Sequence, residues 1–171
     1  MDKGYVHVYT GNGKGKSTAA FGLAVRAACA NKRVYIGQFV KDMKYSETAL
    51  SDLMPLIEIE QLGLGCFITK SPEQKDIDAA AQALQTCAEK LKSGIYDLVI
   101  LDEINIALYY GLISDEAVIE ALNGRSQHVE VVLTGRYAPD SILEMADLVT
   151  EMKEIKHYYK QGVLSRKGID C

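Results

Sequence analysis

No C-x-x-C pair occurs in this sequence, and its cysteines, Cys29, Cys66, Cys87 and Cys171, are as scattered as its histidines, His7, His128 and His157. No zinc-ligand spacing arises from them. Nor does any apolar run approach the roughly 20 residues that a membrane-spanning helix needs. A basic excess is missing too: 19 Lys and Arg stand against 23 Asp and Glu, a net charge of -4. That balance argues against wide, sequence-independent nucleic-acid binding, which depends on many cationic contacts to phosphates. One stretch, 151–171, is locally basic, with Lys153, Lys156, Lys160, Arg166 and Lys167 outnumbering Glu151, Glu154 and Asp170, and it reads as a solvated surface. Internal repeats, linkers and low-complexity segments are absent. The first strand candidate begins at residue 5, leaving no room for a signal peptide, so a cytoplasmic protein with reduced thiols is expected.

What is present is a chain of 171 residues, 48% hydrophobic and 25% charged, which sits at globular averages. Residues 1–171 are expected to form one domain, able to bury roughly 70% of the surface of its unfolded chain. Short apolar runs at 5–9, 33–40, 56–62, 97–103, 129–135 and 147–152 read as strands. Several are continuous rather than alternating in hydrophobicity, as in parallel strands covered on both faces. Helical patterns lie between them. Residues 16–30 carry Ala20, Leu23, Ala24 and Ala27 at helical spacing. Ser71-Pro72-Glu73-Gln74 has the form of a capping box with proline at the first helical position. The helix it opens would bury Ile77, Ala81, Leu84, Ala88 and Leu91 and stop at Gly94. Ser114 before Asp115-Glu116, and Pro139-Asp140, mark two further helix starts. The alternation predicts an α/β fold: a mostly parallel, doubly wound sheet of about six strands with helices on both faces.

The chemistry concentrates in "VYTGNGKGKST", Val8 to Thr18. In the pattern G-x-x-x-x-G-K-[ST], backbone N–H groups of a glycine-rich turn converge on phosphate oxygens. The lysine reaches a terminal phosphate and the hydroxyl binds a metal ion. Gly15-Lys16-Ser17 supplies the closing half, whereas Thr10 stands where the opening glycine belongs. Gly11, Asn12, Gly13, Lys14, Gly15, Lys16, Ser17 and Thr18 are therefore candidate nucleotide contacts. In "LVILDE", Asp102 and Glu103 end an apolar strand, where ligands bind in open parallel sheets. They and Ser17 are candidates for holding Mg²⁺. Such a site fits an ATPase or switch, a kinase, or a transferase that uses the triphosphate as a leaving group. A non-catalytic, ATP-gated binding module is the alternative from another class.

The loop "TGNGKGKSTAAFGLAVRA", the strand "GQFVK", the segments "LVILDEINIAL" and "VVLTGR", and the tail "EIKHYYKQGVLSRKGID" together resemble one family in order from about residue 6 to the C-terminus. It is the P-loop type of ATP:corrinoid adenosyltransferase, acting on cob(I)alamin or cob(I)yrinic acid a,c-diamide. The resemblance implies a RecA-like sheet and transfer of the 5′-deoxyadenosyl group of ATP to the Co(I) of a reduced corrinoid, with release of inorganic triphosphate. It also implies Mg²⁺ or Mn²⁺, a homodimer, and a flavoprotein as reductant. Lys16 and Glu103 take the catalytic positions, Glu103 and Ser17 the metal, and Asp102 acts behind them or through water. Lys14, Arg136 and Arg26 are candidate phosphate or nucleotide cations, with Arg136 pairing to Asp140 and a plain surface role for Arg26 left open. The family places an aromatic pair against the lower face of the corrin. Here the corresponding stretch is 62–71, with Phe67 beside Ile68 and no tryptophan anywhere in the chain. Family members also carry an amphipathic N-terminal segment over the site, so closure here is expected from the 41–55 or 63–75 loops. Tyr109-Tyr110 and Tyr158-Tyr159 suit either a corrin edge or packing. His157 is expected to make a structural hydrogen bond rather than to ligate cobalt.

Overall fold

The computed structural model describes residues 2–40, 46–63 and 72–170. Each of the six expected strands is present: β1 (Val6–Thr10), β2 (Val34–Gln38), β3 (Ile57–Gln61), β4 (Leu98–Asp102), β5 (Glu130–Thr134) and β6 (Leu148–Glu151). They form one sheet in the order β3-β2-β4-β5-β1-β6, and all five pairings are parallel. Between them run α1 (Lys16–Cys29), α2 (Leu50–Leu53), α3 (Gln74–Ser93), α4 (Ile104–Tyr109), α5 (Asp115–Asn123) and α6 (Asp140–Met145).

The strands are apolar on both faces because both are covered. Val34, Ile36, Ile57, Leu98, Ile100 and Val132 pack with Ala20, Phe21, Ala24 and Ala28 of α1. The small side chains of α1 let its backbone lie close to the sheet. Val6, Val8, Val99, Leu101, Val131 and Leu133 point the other way, into a larger core with α3 to α6. β6 is different: it closes one edge of the sheet and all four of its residues are exposed.

Two helix boundaries follow the expected chemistry. Ser114 caps α5 by accepting the Ala117 N–H at 3.2 Å, and Gly94 ends α3 in the left-handed conformation. The start of α3 is a correction. The helix begins at Gln74, not Pro72, with Glu73 as its N-cap. The reciprocal box joins Glu73 and Asp76, whose carboxylate accepts the Glu73 N–H at 2.9 Å. Ser71 lies outside the described residues. The buried face is also rotated. Ala80, Ala83, Leu84, Cys87 and Leu91 are buried, Ile77 and Ala88 are half-buried, and Ala81 is exposed. Alanine contrasts too weakly with its neighbours to fix a stripe, so Cys87 and Leu91 set the rotation.

A parallel sheet puts every strand's carboxyl end on one edge. The glycine loop after β1, the acids ending β4, the T-G-R segment ending β5 and the tail after β6 therefore meet there. The strand order adds what chain order hides: β5 lies between β1 and β4, so T-G-R sits between the loop and the acids.

Candidate active site

A cavity of about 960 Å³ opens at this edge. Gly13, Lys14, Gly15, Lys16, Ser17 and Thr18 line it from the loop, Glu103 from β4's end, and Arg136 from beyond β5. Phe21, Val40 and Ile106 give it an apolar part, and Ser46 and Glu47 reach it from the first of the two loops expected to close the site. Tyr110, Tyr137 and the tail residues His157, Tyr158 and Tyr159 complete much of the wall.

The loop is built to leave donors unpaired at the start of α1. Gly15 occupies the N-cap with φ +121°, so no side chain caps the helix, and the first turn carries no acid. Uncapped N–H groups and the positive end of the helix dipole suit an anion. Gly11 and Gly13 are needed for a second reason. A Cβ on either would fall 2.5 or 2.7 Å from the Met152 carbonyl oxygen. The Gly13 N–H donates to that oxygen at 2.7 Å, so this amide is committed to the segment after β6 rather than to the cavity. Asn12 borders a separate, smaller cavity with Glu151, Lys153, Glu154 and Lys160.

Lys16 is buried, and its ammonium donates to the carbonyls of Gly11 and Gly13, both at 2.8 Å. An ammonium has three donors, so one is left for a phosphate oxygen. Burial lowers the Lys16 pKa; the nearby Glu103 carboxylate opposes that and the Arg136 charge adds to it. Lys14 is turned toward the tail, donating to the Ile169 carbonyl at 2.8 Å with Asp170 Oδ1 3.5 Å away.

Glu103 stands at φ +63°, in the left-handed region that non-glycine residues rarely enter. Such conformations persist where surrounding structure over-determines them, often at functional sites. Asp102 is fully buried and does not line the cavity; its carboxylate accepts Gln38 Nε2 at 3.1 Å and Thr134 Oγ1 at 2.7 Å. Arg136 is exposed and makes no ion pair with Asp140 among the described residues. Arg26 is not brought to the site. It lies exposed in the last turn of α1, about 15 Å along the helix from Lys16 at 1.5 Å per residue. Phe67 and Ile68 lie outside the described residues.

The tail was a source of motif residues in the sequence; the structure makes it a wall. Asp170 accepts from Tyr158 Oη and from Arg166, whose Nε and N–H lie 3.0 and 3.1 Å from Oδ2. Arg166 also stacks over the Tyr158 ring at 4.7 Å. His157 Nδ1 accepts the Tyr159 N–H at 3.1 Å, the structural bond expected of it. Tyr137, which no sequence signal singled out, is held at φ +61° and stacks on Tyr109 with ring centroids 4.3 Å apart.

The parallel sheet, the uncapped helix after β1 and the buried lysine over the glycine loop define a P-loop nucleotide-binding protein of RecA-like fold. The family model for "ATP:corrinoid adenosyltransferase BtuR/CobO/CobP" matches residues 2–171, and the chain belongs to that family. It is 35% identical over 170 residues to the corrinoid adenosyltransferase of Escherichia coli (strain K12), covering 99% of this chain and 86% of that protein. It is 36% identical over 170 residues to corrinoid adenosyltransferase CobA of Salmonella typhimurium, with the same coverage. It is also 36% identical over 171 residues to the corrinoid adenosyltransferase of Pseudomonas aeruginosa, covering 99% of this chain and 84% of that one. No described helix is long and apolar enough to cross a membrane.

Proposed function

We propose that this chain transfers the 5′-deoxyadenosyl group of ATP to the Co(I) of a reduced corrinoid and releases inorganic triphosphate. The observation that carries the reading is the convergence of Lys16, Ser17, Glu103 and Arg136 on one cavity whose volume lies near the top of the roughly 300–1,000 Å³ range of ligand sites. In the reaction a Co–C5′ bond forms as the bond between C5′ and the triphosphate oxygen breaks. Cobalt supplies the electron pair and triphosphate leaves with the other. No proton moves, so no general base is needed. The protein's work is to hold the triphosphate, neutralise the charge developing on it, and align C5′ with cobalt.

The loop amides beside Gly15, with Lys16, take the phosphates in this reading, and Arg136 adds charge from beyond β5. Lys14 joins them when the tail gives it up. Among the described residues no three His, Cys, Asp or Glu side chains gather closely enough to cage a metal. That fits Mg²⁺, which binds through one or two protein oxygens plus substrate phosphates and waters. Ser17 and Glu103 would hold it, and it would supply further neutralisation of the leaving triphosphate. Phe67 and Ile68 are proposed, on the family resemblance, to face the lower side of the corrin. A single domain, a homodimer, a flavoprotein reductant and a cytoplasmic location, where ATP and low-potential electrons coexist, complete the reading.

An anaerobic mixture of protein, ATP, Mg²⁺ and chemically generated cob(I)alamin tests it. Light-sensitive adenosylcobalamin with stoichiometric triphosphate is the expected result, and Glu103→Ala should lower kcat at least tenfold. ADP or phosphate without a change in the corrin spectrum would overturn the reading in favour of kinase or ATPase chemistry.

A further inference from the structure

Thr134 ends the central strand β5 and is fully buried. The residues before it, Val131 to Leu133, are apolar, and a valine of almost the same shape would suit the strand as well. A buried hydroxyl is unfavourable unless it is hydrogen-bonded, so its presence asks for a partner. It has two. Thr134 Oγ1 donates to Asp102 Oδ1 at 2.7 Å and accepts the backbone N–H of Glu103 at 2.9 Å.

The polarity of this chain of bonds is set by the amide. An amide N–H only donates, so the hydroxyl accepts from Glu103 and its own hydrogen is turned to the Asp102 carboxyl oxygen. Asp102 is itself steadied on its other oxygen by the fully buried Gln38. The amide that Thr134 captures belongs to Glu103, whose left-handed backbone departs from the strand just where α4 begins. The next residue makes room for the side chain: a Cβ on Gly135 would fall 3.2 Å from Glu103 Oε2 and 3.0 Å from Asn105 Cβ. Asn105 Nδ2 in turn donates to the Gly135 carbonyl at 3.2 Å.

We infer that Thr134 is a positioning residue that fixes the backbone of Glu103, and thereby aims its carboxylate into the cavity, with Asp102 as the anchor of the hydroxyl. The inference rests on the reading of Glu103 as a metal-holding group. Each residue of T-G-R then has its own role, since Thr134 positions, Gly135 leaves space and Arg136 carries charge. It also makes the sheet order functional, because β5, lying between the loop strand and the acid strand, brings one hydroxyl to both Asp102 and Glu103.

The test compares ATP affinity with Mn²⁺ and with EDTA, by calorimetry, in the full-length protein and its T134V and T134S variants. The metal-dependent gain should fall about 10–100-fold in T134V, the range seen when partners of metal ligands are removed. Affinity for ATP in EDTA, set by the phosphate loop, should stay within about twofold, and T134S, which keeps donor and acceptor, should restore the gain. A T134V protein with the wild-type gain overturns the inference. So does one that loses affinity equally with and without metal, since that marks general damage. Should T134V fail to fold, T134A takes its place, and loss of the gain in T134S would be equally fatal. A wild-type protein with no metal-dependent gain also overturns it. Because no turnover is measured, absence of adenosyl transfer would sink the proposed function and leave this result standing.

Discussion

Burial strips a charged group of its hydration, and Lys16 recovers part of it from the loop that carries it, through two carbonyl bonds. At Cys87 burial is again the largest influence, and the neighbouring Tyr35 hydroxyl and Lys90 charge oppose it only in part. Burial pushes its thiol up to about 12, so almost none of it is thiolate at neutral pH. Cys29, by contrast, is exposed at the end of α1. Iodoacetamide at pH 8 should therefore modify Cys29 within minutes and leave Cys87 unmodified until the protein is unfolded, as peptide mass mapping would show. Equal labelling of the two in the native protein would contradict the burial seen here. At this scale the sequence was most informative where residue type and chemistry are bound together: the Gly-Lys-Ser loop and Glu103 line the cavity, while Asp102 lies buried beside it. It was least informative for Thr134, because threonine is also an ordinary strand residue and nothing in its neighbours marks the hydroxyl as bonded. Tyr137 was invisible for a related reason, since its positive φ depends on the turn after β5 and not on any residue preference.

Elements were legible where apolar patterning was strong, as in the six strands and α1, or where a cap marked the start, as in α5. The start of α3 was not, because two acids replaced serine in the capping box. The tail was legible only as a motif, since its course over the cavity depends on contacts between residues far apart in the chain. Those contacts converge on Asp170. The hydroxyl of Tyr158, with Arg166, holds its carboxyl well below the usual carboxylate range, and the Lys14 ammonium lies 3.5 Å away. Replacing it by asparagine removes the charge that gathers them. In Asp170→Asn, trypsin should cut after Arg166 and Lys167 a few-fold faster, while the melting temperature of the sheet and helices changes little, because exposed ion pairs add little to global stability. Adding ATP should widen the difference in cutting if the nucleotide draws Lys14 away from the tail. Unchanged cutting rates would show that the tail is held by its other contacts, such as the cavity-lining Val163 and Ile169.

At the scale of the whole molecule the decisive fact is strand order, which no local pattern encodes: chain order put T-G-R after the acids, whereas space puts it between them and the loop. The same long-range assembly is tied together by carboxylates. Asp97, before β4, accepts the Arg33 N–H and Lys32 Nζ, both at 3.0 Å, joining the entries to β2 and β4. Partial burial raises the Asp97 pKa, but these bonds outweigh it and leave the group below its ordinary value. Glu58 on β3 is likewise raised by burial and lowered further by hydrogen bonds from Lys90 and Tyr96. A carboxyl whose folded pKa is depressed binds fewer protons in the native than in the unfolded chain. Its contribution is therefore complete above the unfolded pKa, near 4, and is lost as pH falls toward the folded value. The melting temperature should accordingly be flat from about pH 8 to 5 and fall steeply below about 4. Asp97→Asn should melt a few degrees lower at pH 7, and its deficit relative to the parent should shrink between pH 5 and 3 as the parent's carboxylate is protonated. A deficit that stays constant over that range would mean that Asp97 acts through its shape and neutral hydrogen bonds, and that its charge does not join the two strand entries.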